Sequence, residues 1–406
     1  MAGVLYLDVE GGRGGSSRSL GLLITHLDRF RFRPIVALRE TGASHELYAS
    51  LDVPHRHVAG MPAFRPGTRK NTIAFGLFVA GWARSGAIRR ELLSIMREHG
   101  VDLVHVNHEG LAVLGRALAR AAGVPWICHL RNTYPDTAWA RRLYRLIATA
   151  DGHIYISENE RRHLVELAGL RREPENGIVV YNSAPGFDRS APPDERFSAP
   201  PGALRVLSLA NLDMERGTDL IVDVAGELKR RGKTDFRFFI CGKDSRNGLS
   251  LRSDFAGMLR SRIAAEGLEE MVNLVGHVTN PEAALVSADI LFRPRRQNNP
   301  WGRDVIEGMA AGLPIIAMGT FQGFVENGLG GFIDPEFSKQ RIADHLVLLQ
   351  SDPGLRERMG EFNRAKAARM FDGKRNAAMV EALYDKVLAL RGGAMPRMPK
   401  AKLDAC

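Results

Sequence analysis

The chain has 406 residues, 45% hydrophobic, 25% charged and 7% aromatic, which is more than one hydrophobic core usually supports, so two α/β domains are the first expectation. Lys and Arg number 56 against 46 Asp and Glu, a formal charge of +10. That balance favours anionic partners such as nucleotide diphosphates or acidic lipid headgroups, and the absence of interleaved aromatic and basic residues excludes nucleic acid.

The chain enters a strand at Val4–Asp8, with no secretory leader before it. A Gly-rich turn, Gly11–Gly15, leads to a helix at Ser19–Phe30, whose Leu20, Leu23, Ile24 and Leu27 recur at helical spacing. Pro34–Leu38 reads as a strand, Ile88–Glu98 as an amphipathic helix and Val101–Val106 as a strand. Leu111–Ala122 is a helix stopped by Gly123 and Pro125, and Trp126–Leu130, His153–Ser157 and Val179–Tyr181 are strands. The Pro-, Ser- and charge-rich run from Ala184 to Gly202 has little to bury and reads as a linker.

The pattern then restarts. Leu204–Ala210, Phe236–Cys241, Val272–Val275, Asp289–Phe292 and Pro314–Met318 read as strands. They alternate with helices at Thr218–Arg231, Leu251–Ala265, Pro281–Ser287 and Gly302–Ala311, and three helices follow at Lys339–Gln350, Pro353–Met370 and Asn376–Leu390. Such alternation argues parallel sheets with helices on both faces. The residues from 392 to 406 have no periodicity and are expected to be disordered. Cys128, Cys241 and Cys406 form no disulfide or metal spacing, as in a reducing cytoplasm, and no apolar run is long enough to span a bilayer. A cytoplasmic location is expected, with peripheral attachment to the membrane face left open.

Two loops carry chemistry. The first, GGRGGSSRS, lies between a strand and a helix, where glycines let backbone N–H groups approach a phosphate. Gly12, Gly14 and Ser17 meet the dinucleotide fingerprint in part, and Glu40 stands where a ribose-binding acid would, so a nicotinamide-dependent oxidoreductase is an open alternative. The second is ADILFRPRRQNNPWGRDVIEGMAAGLPIIA, Ala288 to Ala317: a strand, a polar loop, and a helix starting near Gly302 with Glu307 one turn in. The helix N-terminus faces an anion, and Glu307 can accept hydrogen bonds from two ribose hydroxyls.

This second segment, N-P-W-G-R-D-V-I-E-G-M-A-A-G-L-P, closely resembles the donor-binding motif of glycosyltransferase family 4, E-P-F-G-x-x-x-x-E-A-M-A-x-G-x-P. The family is of retaining, group 1 type and has the GT-B fold. ANLDMERGTDL is similar to the family's G-R-x-x-x-x-K-G segment, with Arg216 at the diphosphate-binding Lys position and Asn211 where Arg is frequent. VNLVGHV, ending at Val278, is similar to the strand and loop that cradle the base; NGLGGFID and DPGLRERMGEFNRAKAARMF also match in order. In the first half DLVHVNH and WICHLRN match more loosely.

The resemblance implies an α/β GT-B architecture, two Rossmann-like parallel-sheet domains facing across a cleft. Residues 1–185 are the acceptor-side domain, 186–202 the linker and 203–365 the donor-side domain, with helices in 366–391 returning to the first domain. It also implies a donor site of Asn211, Gly242, Val278, Trp301, Gly302, Arg303 and Glu307, closed from the other domain by Gly14, Gly15 and Ser16. Arg216 stabilises the departing diphosphate, Arg303 assists it, His129 contacts the donor sugar, and Asn299 takes the place of the motif's first Glu. No Asp-x-Asp motif points to a divalent metal, and no cofactor is implied beyond a nucleotide-diphosphate sugar as co-substrate.

Two departures from the family pattern bear on the donor. Asn299 offers an uncharged amide in place of a carboxylate, and Gly323 stands where many members carry Glu. A nucleotide-sugar or glycan-binding protein without catalysis is therefore a second alternative. Arg65, Arg69, Lys70 and Arg84 surround the apolar run TIAFGLFVAGW and mark an acceptor or membrane side, suited to a saccharide or lipid-linked saccharide on an anionic surface. Arg295 and Arg296, beside the donor loop, are either an anionic acceptor's contacts or solvated. Transfer of a sugar in cell-surface polysaccharide biosynthesis is the function expected.

Overall fold

The computed structural model describes residues 1–9, 11, 15–64, 66, 71–187, 194–243, 254–278, 281–296 and 301–392. The chain divides into two compact units, residues 1–183 with 373–406 (unit 1) and residues 184–372 (unit 2).

Unit 1 begins β1 (Ala2–Asp8), α1 (Gly15–His26), β2 (Phe32–Leu38), α2 (Ser44–Ser50), β3 (His55–His57), α3 (Asn71–Arg84), α4 (Gly86–Glu98) and β4 (Val101–Val106). It continues α5 (Ala112–Ala122), β5 (Trp126–Leu130), α6 (Ala138–Ile147), β6 (Gly152–Tyr155), α7 (Glu158–Ala168) and β7 (Gly177–Val179). The seven strands form one sheet in the order β3-β2-β1-β4-β5-β6-β7, each pair parallel. Both faces are covered, so the strands are apolar throughout rather than alternating. Their period of two still sorts side chains: Leu5, Leu7, Val104, Val106, Cys128 and Leu130 enter one core, and Val4, Tyr6, Leu103, Ile127 and Ile154 the other. That alternation also sends His105 and His129 to the second face.

Unit 2 repeats the architecture with β8 (Leu204–Leu209), α8 (Thr218–Arg230), β9 (Phe236–Cys241), α9 (Phe255–Ala265), β10 (Val272–Gly276) and α10 (Pro281–Val286). Then come β11 (Ile290–Arg293), α11 (Arg303–Ala311), β12 (Ile315–Met318), β13 (Gly331–Asp334), α12 (Lys339–Ser351) and α13 (Pro353–Met370). The sheet runs β10-β9-β8-β11-β12-β13, again parallel.

The last helix, α14 (Gly373–Gly392), belongs to unit 1. Val380, Leu383, Tyr384 and Val387 recur at helical spacing and are buried with Leu20, Leu23 and Ile24 of α1. The return therefore starts at Gly373, not at residue 366, because α13 buries Met359 and Ala367 within unit 2. The linker boundary also moves. Residues 184–202 belong to unit 2, where Phe197 is 2% exposed and meets the Phe239 ring at 5.4 Å, while the Asp194 N–H donates to Ser287 Oγ at 3.0 Å. Of the expected disordered tail, residues 393–406 lie outside the described residues, and Gly392 ends α14.

Candidate functional site

In a doubly wound sheet the loops after neighbouring strands part company where the strand order reverses, leaving a crevice at the strands' C-terminal ends. In unit 2 that reversal lies between β8 and β11. The helices that follow, α8 and α11, begin at Gly217 and Gly302, and no side chain caps either one. By contrast α9, α12 and α13 are capped by Asp254, Ser338 and Asp352. Two helix N-termini with open backbone donors and the positive ends of their dipoles thus meet at one crevice, which is what a phosphate requires.

Both starts are crowded, and at Gly217 the backbone itself forces glycine. Gly217 has φ 69°, and a Cβ there would lie 1.8 Å from the Pro294 carbonyl oxygen. At Gly302 a Cβ would lie 2.7 Å from Asp304 Oδ1 and 2.9 Å from the Arg293 guanidinium. The two loops are bound to each other by Arg296, whose N–H donates to the Glu215 carbonyl at 3.2 Å and whose guanidinium grips Asp219 at 2.7 and 2.6 Å. Arg296, though partly exposed, thus holds the first turn of α8 to the loop after β11.

Cations crowd this crevice. Arg293 is paired with Asp304. Arg295 is pushed down to about 10, first by burial and then by the positive charges of Arg216 and Arg293. Guanidinium groups gathered this closely around Arg295 make an attractor for a multiply charged anion. Glu307 is 2% exposed, so it is no ordinary surface carboxylate, and Arg303 Nε lies 2.7 Å from its Oε1. Arg303, expected to assist the diphosphate, is thus engaged by Glu307 one turn on. Asn211 is exposed after β8, and Gly242 sits beneath it, where a Cβ would lie 1.9 Å from the Ala210 carbonyl oxygen. Val278 follows β10, half-buried, and Trp301 meets Phe324 at 6.0 Å and Phe321 at 6.4 Å. The Phe321 ring covers Gly323, its Cζ 2.3 Å from where a Cβ would stand. Asn299 lies outside the described residues.

Unit 1 has its own reversal, between β1 and β4, and fills it differently. Asp8 is fully buried and accepts hydrogen bonds from Ser17 Oγ in the first turn of α1 (2.5 Å) and from Asn107 Nδ2 (2.8 Å). Arg131 donates to Asn107 Oδ1 and Asn182 Oδ1, both at 2.7 Å, and its N–H to Glu109 Oε2 at 3.0 Å. Gly14 lies outside the described residues; Gly15 is exposed, and the Ser16 carbonyl accepts from Asn107 Nδ2 at 3.3 Å. Glu40 is exposed, 3.8 Å from the Arg39 guanidinium.

His129, on β5, is 4% exposed and lines a pocket with Ser19, Arg131, Asn182, Ser183 and Asn376. Burial, followed by the charge of Arg131, holds its pKa well below the usual histidine value, so the ring is neutral. Its Nδ1 meets His105 Nε2 at 3.3 Å, and His105 Nδ1 meets the Tyr384 hydroxyl at 2.6 Å. Asp8, Arg131 and Tyr384 were not foreseen as site residues. Arg131 lies within the loosely matching WICHLRN, whereas Tyr384 meets its partner His105 across 279 positions.

On the expected acceptor side, Arg65, Arg69 and Lys70 lie outside the described residues, and Arg84 is exposed at the end of α3. Phe75 stacks on Trp139 at 3.7 Å, which anchors α3, while Leu77 and Val79 of the same helix are 71% and 47% exposed. Arg89 lies over the Trp82 ring at 4.6 Å. Among the described residues no helix is long and apolar enough to cross a membrane.

The comparisons with known proteins agree with this arrangement. The family model for glycosyl transferases group 1 matches residues 194–366, and that for Glycosyltransferase Family 4 matches residues 13–183. An alpha-D-kanosaminyltransferase of Streptomyces kanamyceticus is 25% identical over 316 residues, covering 71% of this chain and 78% of that protein. A D-inositol 3-phosphate glycosyltransferase of Streptomyces bingchenggensis is 27% identical over 305 residues, covering 72% of this chain and 62% of that protein. Anabaena Alr3699/HepE, solved in complex with UDP-glucose, superposes with a TM-score of 0.73 at 19% identity, over 95% of this chain and 100% of that one. With both halves matched and two parallel-sheet Rossmann-like units in place, the chain belongs to the group 1 glycosyltransferases of glycosyltransferase family 4 and has the GT-B fold.

Proposed function

We propose that this glycosyltransferase moves a sugar from a nucleotide-diphosphate sugar to a saccharide or lipid-linked saccharide, with retention and without a divalent metal, in cell-surface polysaccharide biosynthesis. The observation that carries the donor half is the pair of uncapped helix starts, Gly217 and Gly302, at the β8/β11 crevice beside Arg216 and Arg295. Charge grows on the diphosphate as the glycosidic bond breaks, and fixed backbone dipoles and a guanidinium aimed at it supply the compensation a metal would otherwise give. Glu307, placed inside the first turns of α11, is the acceptor for ribose hydroxyls, with Arg303 fixing its orientation. Asn299 replaces the motif carboxylate with an amide, which binds a sugar hydroxyl but adds no charge. Retention is carried over from the family. The exposed Leu77 and Val79 of α3, beside Arg84, suit an acceptor held at an anionic membrane surface.

Thermal-shift binding to UDP, GDP, ADP, NAD and NADP tests the reading, on wild type and on Glu307→Gln, which keeps the volume of the buried side chain. One nucleoside diphosphate at a hundredfold excess over its Kd should stabilise wild type by about 2.7 kcal/mol, and the variant should lose most of that. Stabilisation by NAD or NADP alone would reject the donor site and favour the nicotinamide reading. Binding without release of nucleoside diphosphate from any donor would leave a non-catalytic binder.

A further inference from the structure

A buried chain of polar side chains runs through the second core of unit 1. The Tyr6 hydroxyl lies 3.0 Å from the Tyr384 hydroxyl, Tyr384 lies 2.6 Å from His105 Nδ1, and His105 Nε2 lies 3.3 Å from His129 Nδ1. Tyr6, Tyr384 and His105 are fully buried, and Nε2 of His129 is a buried atom with no hydrogen-bond partner, on the wall of the pocket lined by Arg131, Asn182, Ser183 and Asn376. Desolvation raises both tyrosines and lowers both histidines, with His105 down to about 3, so all four groups are neutral.

Neutrality permits a proton count. Each group brings one proton and the chain has three links, so one proton is left over, at an end or, if the Tyr384 oxygen accepts from both neighbours, on that fully buried hydroxyl. If it leaves at His129, every link runs outward: Tyr6 donates to Tyr384, Tyr384 to His105 Nδ1, and His105 Nε2 to His129 Nδ1, leaving N–H on His129 Nε2. If the links run the other way, the Tyr6 O–H points into the cluster of Val4, Leu20, Phe32 and Val36, and His129 Nε2 is left as a bare lone pair. The nearby Glu381 does not rescue it: its carboxylate accepts from the Asp28 N–H at 2.7 Å and Arg31 at 3.0 Å, while the hydroxyl of Tyr6 is joined to Tyr384. The second arrangement, like a spare proton on Tyr384, strands a donor in the apolar core where nothing can reach it. The first places the odd donor on the wall of a pocket, where a ligand oxygen can meet it.

We infer that His129 carries its proton on Nε2 and presents a fixed N–H donor to an oxygen of the substrate, with Tyr384 of α14 acting through His105 as the positioning residue that sets this tautomer. His129 then recognises an oxygen lone pair and does not act as a base. The substrate half rests on the reading of His129 as a sugar- or phosphate-facing group; the tautomer does not.

Nitrogen-15 NMR of the full-length, histidine-labelled protein decides it, with resonances assigned by His129→Gln and His105→Gln. The expected spectrum has a proton-bearing Nε2 and a bare, accepting Nδ1 on His129, unchanged by Tyr6→Phe, which leaves the Tyr384 donor in place. Tyr384→Phe should produce a mixture of tautomers at His129, because His105 Nδ1 loses its donor. A proton on His129 Nδ1 in wild type overturns the inference, and so does a single unaltered tautomer in a folded Tyr384→Phe. If that variant does not fold, the wild-type and Tyr6→Phe spectra still decide. UDP and glucose added separately distinguish a phosphate oxygen from a sugar hydroxyl as the acceptor. Silence of the Nε2 proton toward both, and toward UDP-glucose, overturns the substrate half while the ligand-free spectrum judges the tautomer.

Discussion

The two sheets reverse their strand order at equivalent places, β1/β4 in unit 1 and β8/β11 in unit 2, and treat the helix starts there in opposite ways. In unit 1 the strand ends on Asp8, which takes the Ser17 hydroxyl in the first turn of α1. An acidic group of the protein's own thus stands at the strand end against the first turn of α1, where its charge would oppose a phosphate. In unit 2 the loop after β8 carries Asp213 and Glu215, but neither caps α8: Asp213 accepts from the Arg216 N–H ahead of the helix at 2.7 Å, and the charge of Glu215 reaches Arg295. The acids in the first turns, Asp219 and Asp304, are each turned to an arginine, Arg296 and Arg293. One topology thus builds two anion seats, and the residue at the strand end decides whether the protein fills the seat itself.

The largest effect that would test this contrast is on turnover. Arg216→Ala should lower it about 10²–10³-fold, the usual cost of removing one charge-stabilising donor, with little change in Tm because Arg216 is not deeply buried. A matching loss of Tm would make Arg216 structural. Asp8→Ala should do the reverse, destabilising unit 1 by about 2–3 kcal/mol, since it strands the buried Ser17 and Asn107 donors. Urea unfolding measures that loss, and nucleotide binding newly gained by the variant would show that Asp8 had been the obstacle.

Acid should separate the units further. Of the twelve histidines, only His277 and His345 lie in unit 2. In unit 1 His105 is held at about 3 and His153 at about 4, both chiefly by burial. Their folded pKa values lie below the unfolded value near 6.5, so the unfolded chain binds more protons in that window and stability falls as pH drops. Each contributes a slope of about 1.4 kcal/mol per pH unit, starting near pH 6.5 and ending near its folded value. Hydrogen exchange should therefore show β4–β6 losing protection before β8–β12 as pH is lowered, and equal loss would remove the distinction. The smallest effect is at Arg296→Ala. Its pair with Asp219 is partly exposed, so stability should fall by about 0.2–1 kcal/mol while nucleotide affinity falls more, through the loosened loop.

Much of the fold was legible because helix and strand periods are local. Elements escaped where another signal overrode the period. α7 starts after Ser157, which caps the Asn159 N–H at 3.1 Å and bonds Glu160 in its first turn, and α6 follows the Thr137 cap at 3.1 Å from the Ala140 N–H; both caps are signals written in local sequence. β3, His-Arg-His, offers no apolar run to register, and β13 opens on glycine. The linker was misread because a run rich in Pro and Ser hides one anchoring ring, Phe197, whose burial depends on Phe239 far along the chain.

By itself, then, the sequence determined the alternation that makes two parallel sheets, the glycines at both helix starts of the donor loop and the motif around Glu307, because each depends on neighbours within a turn or two. Only the tertiary structure decided the strand order and which arginines face the crevice. It also decided that Arg296 is a brace and that Tyr384 reaches His105 across 279 positions of sequence. A hydrogen-bond partner is chosen by what the fold brings within 3 Å, and that distance is not written in local spacing.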